Sequence, residues 1–268
     1  MTQWNRLLLN LGAWEGSFTQ LSPTGELRED SPSVVTLEGL NDNKTVRQTI
    51  VKVRNGDRSE QVLEYSSLSR SVHFFETGAF SQGSLQLGPF STFGAELGFI
   101  DGDRRLRLVQ LFDKQAQLSQ ITLIRESLAG SDAQPQLTVE GLLGTWQGKA
   151  TTHYADLRSP DKFGTSLQLS RQGNRVTQAL TIPGRTLTSE ATVEGSSLRF
   201  EGSGGVVQVL LLPGGASSTT PLELPKRQAF FLEAGWLMSP TRRQRMIRRY
   251  SESGAWETLT LVEEEKQV

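Results

Sequence analysis

The sequence predicts an all-β protein made of two antiparallel barrels in tandem, the products of an internal duplication. Three observations carry this. Short β-rich runs and turn residues alternate at a spacing of about ten residues along most of the chain. Helical periodicity is scarce. Two blocks of sequence recur in the same order and at nearly the same offset, which is the mark of a repeated structural unit.

The opening block, of the form L-G-x-W-x-G, runs from Leu11 to Gly16 and returns 132 residues later from Leu143 to Gly148. The closing block contains Glu96-Leu-Gly-Phe-Ile100, Arg105-Leu-Arg-Leu-Val109, Phe112 and Ile121-Thr-Leu-Ile-Arg-Glu126. Its counterparts are Glu233-Ala-Gly-Trp-Leu237, Arg243-Gln-Arg-Met-Ile247, Tyr250 and Leu259-Thr-Leu-Val-Glu-Glu264, at offsets of 137 to 138 residues. Each pair of blocks opens and closes a unit of about 130 residues, long enough to bury a core of its own. The Gly-, Ser- and Pro-containing stretch Ser127–Gln136 reads as the seam, which sets the units at 1–128 and 136–268. A second loop-like stretch, Gly202–Pro221, falls inside the second unit and reads as long hairpin loops at a barrel rim.

Helical turns are expected over Asn5–Asn10 and Leu137–Leu143, each just before a first strand. Strands follow in runs such as Ser33–Glu38, Val46–Val53, Gln61–Tyr65, Ser166–Leu169 and Arg175–Ile182. Turns are marked by Asn55-Gly56, Asp101-Gly102, Gln172-Gly-Asn174, Pro183-Gly184 and Glu194-Gly195. Such a meander can close on itself and remove exposed sheet edges. A G-x-W at the start of the first strand, after a short helical turn, is the mark of the lipocalin-like (calycin) barrel. Trp14 and Trp146 then plug the closed ends. Barrels of this size hold side chains or one small ligand.

The closing block carries the candidate site. Period-two alternation puts Arg105, Arg107, Val109 and Leu111 on one strand face, and Arg243, Arg245, Ile247 and Arg249 on the matching face. Leu106, Leu108 and Phe112, and Met246 and Tyr250, fall on the opposite, more apolar faces. An Arg-x-Arg pair in a barrel mouth would grip carboxylates such as fatty-acid or tetrapyrrole propionate groups. The alternatives are a solvated outer face, or pairing with Glu96 and Glu233.

Composition narrows the function classes. The 268 residues are 36% hydrophobic and 21% charged with a net charge of −1, which argues against nucleic-acid binding. There are no cysteines, so disulfides, thiolate metal sites and thiol catalysis are absent, as suits a reducing compartment. The N-terminus has an apolar run too short for a signal peptide or a membrane span. A cytoplasmic or stromal protein, at most peripheral to a thylakoid membrane, is expected. His73 and His153 lack acidic partners at catalytic spacing and read as surface or rim residues. Glu263–Glu265 reads as a solvated terminal run. No nucleophile elbow, phosphate loop or dinucleotide fingerprint is present.

The stretch Phe231–Tyr250, followed by Gly254–Val262, resembles the DUF3598 family of cyanobacteria and plastids. Within it, W-x-x-S-P-x-x-R-x-R from Trp236 to Arg245 is similar to the S/U-type phycobiliprotein chromophore lyases. The first unit departs from that pattern, with Phe99 for the tryptophan and Asp101-Gly-Asp103 for Ser-Pro, so the second pocket is the favoured one. The resemblance implies a photosynthetic context and a bilin or chlorophyll-type tetrapyrrole, or a fatty-acid-like ligand, as cargo. Arg243 and Arg245, with Glu233 beside them, would anchor it; Trp236 and Tyr250 would stack on it; Arg105 and Arg107 are the first unit's counterparts. Three functions follow: a carrier or chaperone for a small hydrophobic ligand, a lyase acting on a phycobiliprotein, and an assembly factor that contacts photosystem subunits through its surface.

Overall fold

A computed structural model describes residues 1–128, 130, 135–202 and 204–267. Part of the predicted seam, Ala129 and residues 131–134, lies outside them, as do Ser203 and the last residue, Val268. The chain is almost entirely antiparallel β-structure. Helix α1 (Gln3–Leu7) and a 3-10 turn (Leu8–Asn10) lead into β1 (Gly12–Leu21), β2 (Leu27–Leu40), β3 (Thr45–Arg54) and β4 (Asp57–Tyr65). The short β5 (Val72–Phe74) and β6 (Phe80–Gly83) come next, then β7 (Phe93–Asp101), β8 (Arg104–Phe112) and β9 (Leu118–Ser127).

Helix α2 (Val139–Leu142) opens the second repeat, as expected from Leu137–Leu143. It is followed by β10 (Gly144–Tyr154), β11 (Asp161–Gln172), β12 (Arg175–Ile182), β13 (Arg185–Glu194), β14 (Ser197–Gly202), β15 (Gly205–Leu211), β16 (Ala216–Pro221), β17 (Phe230–Ser239), β18 (Arg242–Tyr250) and β19 (Trp256–Lys266). All five predicted turn signals fall at the junctions of consecutive strands.

Two compact units result. One comprises Met1–Gly83, Gly94–Leu111 and Ser119–Ala133; the other comprises Ser84–Phe93, Phe112–Leu118 and Gln134–Val268. Two segments of the first repeat are thus part of the second compact unit. The second unit's strands β10 to β19 close into a ten-stranded barrel through β10–β19 pairing. The first is a strongly curled nine-stranded sheet in the order β4-β3-β2-β1-β9-β8-β7-β6-β5, which leaves β4 and β5 as its edges. The repeat explains the difference. Three strands lie between β13 and β17, but only the two short strands β5 and β6 lie between β4 and β7. The first sheet is one strand short of closure.

The L-G-x-W-x-G motif is satisfied the same way twice. Thr2 and Thr138 cap α1 and α2 by accepting from the backbone N–H of Asn5 and Gly141. Trp14 and Trp146 are buried, and each donates Nε1–H to a carbonyl of the preceding turn, Asn10 O and Leu142 O, at 2.9 Å. The second glycine of the motif answers to close packing. A Cβ on Gly16 would lie 1.9 Å from the carbonyl oxygen of Arg125 on β9, and one on Gly148 would lie 2.4 Å from Thr165 Oγ1. Gly16→Ala is therefore expected to cost about 1–3 kcal/mol through forced strand separation. An unchanged thermal midpoint would show that β1 and β9 yield without strain.

Three local expectations are corrected. Gly202–Pro221 is not loop. It holds β15, a 3-10 turn at Pro213–Gly215 and β16, because its β-branched and apolar residues pair on both sides and its glycines fall at turns. His73 on β5 and His153 on β10 are buried, since both strands are covered on the faces these residues occupy. Glu264, in the middle of the expected solvated run, is buried inside the barrel by the alternation of β19. Among the described residues, no helix is long and apolar enough to cross a membrane, a statement that does not extend to strands.

Candidate functional site

The same constellation is built inside each unit. In the second, register aligns Trp146, Leu167 and Leu180 on one face, and Arg243, Gly148 and Glu264 on that same face. The Arg243 guanidinium lies over the Trp146 ring, 4.5 Å from its centroid, and donates Nε–H to Glu264 at 2.7 Å. Arg245 reaches Glu264 through Nε at 3.1 Å and Nη2 at 2.9 Å, and Glu233 through Nη1 at 3.4 Å. In the first unit Arg105 lies over Trp14 at 4.4 Å and donates to Glu126 at 2.8 Å. Arg107 donates to Glu126 at 2.8 and 3.0 Å and to Glu96 at 2.7 Å. The arginine that stacks on the tryptophan and its neighbour two residues on thus share one buried carboxylate.

The electrostatics follow from this sharing. Burial pushes the Glu264 carboxyl up, but Arg245 and Arg243 together outweigh it and hold it below the usual carboxylate range. Glu126 is lowered in the same way by Arg107 and Arg105 against the pull of burial. Arg107 and Arg245, buried but each held between two carboxylates, rise above the ordinary arginine value. Arg105 has one carboxylate to share and is pulled down by burial to about 10. Arg243 is lowered by burial too. Glu233 is raised by burial, which its longer contact with Arg245 does not offset.

The signs predict the acid response. Glu126 and Glu264 have depressed folded-state values, so their contribution is complete above the unfolded carboxylate range of about 4.3 and is lost as pH falls through their folded values. Glu233 acts oppositely and disfavours the fold as pH rises through the carboxylate range. Urea midpoints should therefore drop from pH 6 to pH 3, less steeply in Glu264→Gln and more steeply in Glu233→Gln. Equal slopes in all three proteins would contradict the assignment.

The remaining predicted residues are elsewhere. Trp236 pairs with Gln244 and Ala216, so it faces the other side of the sheet from Arg243 and Arg245, and its Nε1–H is given to Gly214 O at 3.2 Å. Tyr250 is on that other side as well. It stacks on Phe230 at 4.9 Å and meets Phe93 edge-on at 4.8 Å. Its hydroxyl donates to Ser84 O at 3.0 Å and accepts from Arg248 Nε at 2.9 Å. The expected grouping of two arginines with two stacking aromatics is therefore not formed: the strand's period of two separates them. Of the seven candidates, Arg105 and Arg107 gather in one unit and Arg243, Arg245 and Glu233 in the other.

Residues that sequence reasoning passed over complete the picture. Glu126 and Glu264 stand at matching places in the closing block, and that recurrence was the signal that could have found them. Arg248 is fully buried, with its guanidinium 4.4 Å from the Trp256 ring centroid; its position between Ile247 and Arg249 gave no such signal.

A cavity of about 270 Å³ opens inside the first unit, bordered by Asn10, Val35, Gln48, Tyr65, Phe74, Glu96, Arg105 and Arg107 among others. The expectation favoured the second unit's pocket, yet this cavity lies in the first. The second unit's interior carries a packed cluster of Trp146, Leu167, Leu169, Val176, Ala191, Leu198 and Leu211 above Leu137, Val139 and Leu142.

A tryptophan plug, an arginine across it and a meander curled around both define a duplicated lipocalin-like barrel protein. Family models match both halves: the N-terminal domain of DUF3598, a domain of unknown function, over residues 1–131, and the C-terminal domain of "Biogenesis factor required for ATP synthase 1" over residues 133–267. A crystal structure of a DUF3598 protein of unknown function from Nostoc punctiforme is 49% identical, with 100% of each chain covered and a TM-score of 0.94. The chain belongs to the DUF3598 family. An S-type phycobiliprotein lyase from Guillardia theta is 12% identical, covering 48% of this chain and 90% of its own, with a TM-score of 0.39. A search of the curated proteins found no match.

Proposed function

We propose that the protein works without catalysis, as a biogenesis factor for an ATP synthase that holds a subunit through its folded surface. The observation that carries this is the match of the second half to a domain described by that role. The interior of the second unit supports it. Its arginines and glutamates neutralise one another, and apolar side chains pack above the tryptophan plug, so binding falls to the outside of the barrel. This reading keeps the assembly role expected from the sequence and exchanges the photosystem for the ATP synthase. It places the protein on the cytoplasmic or stromal side of the coupling membrane.

The test is purification of the tagged full chain from its own cells, with mass spectrometry of bound proteins, beside a deletion strain. Enrichment of ATP synthase subunits together with a fall in assembled enzyme supports the proposal. A normal level of assembled enzyme in the deletion strain overturns it.

A second reading, carriage of a small ligand, is favoured by the cavity of the first unit. Tetrapyrrole and fatty-acid-like cargo belong to it, as does bilin transfer to a phycobiliprotein. Titration with biliverdin-type bilins and a long-chain fatty acid, followed by tryptophan quenching, tests it directly. Saturable quenching supports carriage of that class; no quenching by either removes it.

A further inference from the structure

The two units are copies, so where their interiors differ, the difference is informative. The shared opening motif aligns Asn10 with Leu142. The ladders align Lys52, across from Ser33 and Gly16, with Ile182, one residue beyond the Ser166–Thr181 pair. The first unit has therefore a buried amide and an inward lysine where the second has two aliphatic side chains.

The added charges are placed differently. Inside the second unit Arg243 and Arg245 face Glu233 and Glu264, and the added cation, Lys266, lies at the plug, over the Trp146 ring, where it donates to Gly141 O at 3.2 Å. Inside the first, Arg105 and Arg107 face Glu96 and Glu126, and Lys52 is added. Glu29, on the same face, is taken by Arg54 at 2.8 Å. Lys52 rests 3.6 Å above the Phe18 ring, and burial and the nearby Arg107 lower its proton affinity against the opposing pull of Glu29 and Glu96.

Two polar atoms at the cavity are also open. Arg105 Nη2 and Asn10 Oδ1 are buried and have no hydrogen-bond partner among the described residues, and both residues border the cavity. A buried donor on a cation left unmatched is costly, so a site that holds one is poised for an acceptor. Arg243 leaves the same atom open in the second unit, but the residue aligned with Asn10 there is the apolar Leu142.

We infer that the cavity of the first unit binds a small organic carboxylate with a compact apolar body. The carboxylate takes Arg105 Nη2, beside Arg107 and in the field of Lys52. Asn10 Oδ1 accepts from a hydroxyl or N–H where the ligand has one. Val35, Leu37, Phe74 and Phe80 enclose the apolar part. The 270 Å³ corresponds to about nine water volumes, hence to a ligand of roughly ten non-hydrogen atoms. This goes beyond the assembly role; it rests on the ligand-binding reading and names a ligand class for it.

The experiment is calorimetric titration of the full chain with benzoate, hexanoate, neutral benzamide and toluene. Benzoate is expected to bind at least about tenfold more tightly than benzamide, the worth of one charge-assisted hydrogen bond. Asn10→Leu and Lys52→Ile, which install the second unit's residues, should each weaken benzoate about three- to tenfold while the protein stays folded by circular dichroism. Benzamide or toluene binding as tightly as benzoate overturns the carboxylate class and leaves the ligand-binding reading standing. Binding of none of the four overturns the inferred site, while the bilin and fatty-acid titrations still decide the broader reading. Unchanged benzoate affinity in Asn10→Leu overturns the location.

Discussion

Arg245→Met should destabilise the second unit by about 3–5 kcal/mol, because it leaves buried carboxylates without their principal partner. The Glu264 side chain is completely buried and accepts from Arg245 through Nε and Nη2, whereas Arg243 gives it a single bond. Glu233 loses its 3.4 Å ion pair with Arg245 in the same variant. Methionine fills much of the space the arginine stem occupied, so the loss is electrostatic and not a cavity effect. Urea denaturation at neutral pH, followed by circular dichroism, measures it. The double variant Arg245→Met/Glu264→Gln should recover part of the loss, since the buried charge goes with its partner. A single variant within about 0.5 kcal/mol of the parent, the range of ordinary surface substitutions, would mean that water reaches this network.

Trp146→Ala should cost a similar amount, about 3–5 kcal/mol, for a different reason. The ring is fully buried beneath the cations of Arg243 and Lys266, and its Nε1–H satisfies the carbonyl of Leu142 at the end of α2. Removal opens a cavity at the closed end, orphans that carbonyl and takes the aromatic face from under Arg243. Trp146→Phe keeps the face and loses the hydrogen bond, so it should lose clearly less. Thermal unfolding of both variants separates the contributions; equal losses would assign the effect to the hydrogen bond and not to packing.

Much of this was legible without coordinates. Local alternation and turn dipeptides placed most strands, since a strand's pattern and a turn's glycine are properties of adjacent residues. The duplication was legible because L-G-x-W-x-G and the closing block each serve one packing solution used twice. The same alternation placed Arg243 and Arg245 on one face and Tyr250 on the other, so the period of two was already evidence against joining them in one pocket. The partners of the arginines were half legible: Glu96 and Glu233 were among the alternatives. Glu264 escaped because a glutamate within a terminal acidic run looks like any solvated charge until a barrel encloses it, and Glu126, at the end of its strand beside the seam, carried no sign of burial beyond its match to Glu264.

The sequence by itself determined the class of fold, the two-fold repetition, the tryptophan plugs and the sharing of one strand face by each pair of arginines, all of which depend on short-range periodicity and on residue type. Only the tertiary structure decided that ten strands close one barrel while nine leave the other open, that the arginines are bound by buried glutamates, and that the cavity lies in the first unit. Those outcomes depend on how many strands meet around a circle and on which side chains converge from strands far apart in the chain, quantities that local sequence pattern does not encode.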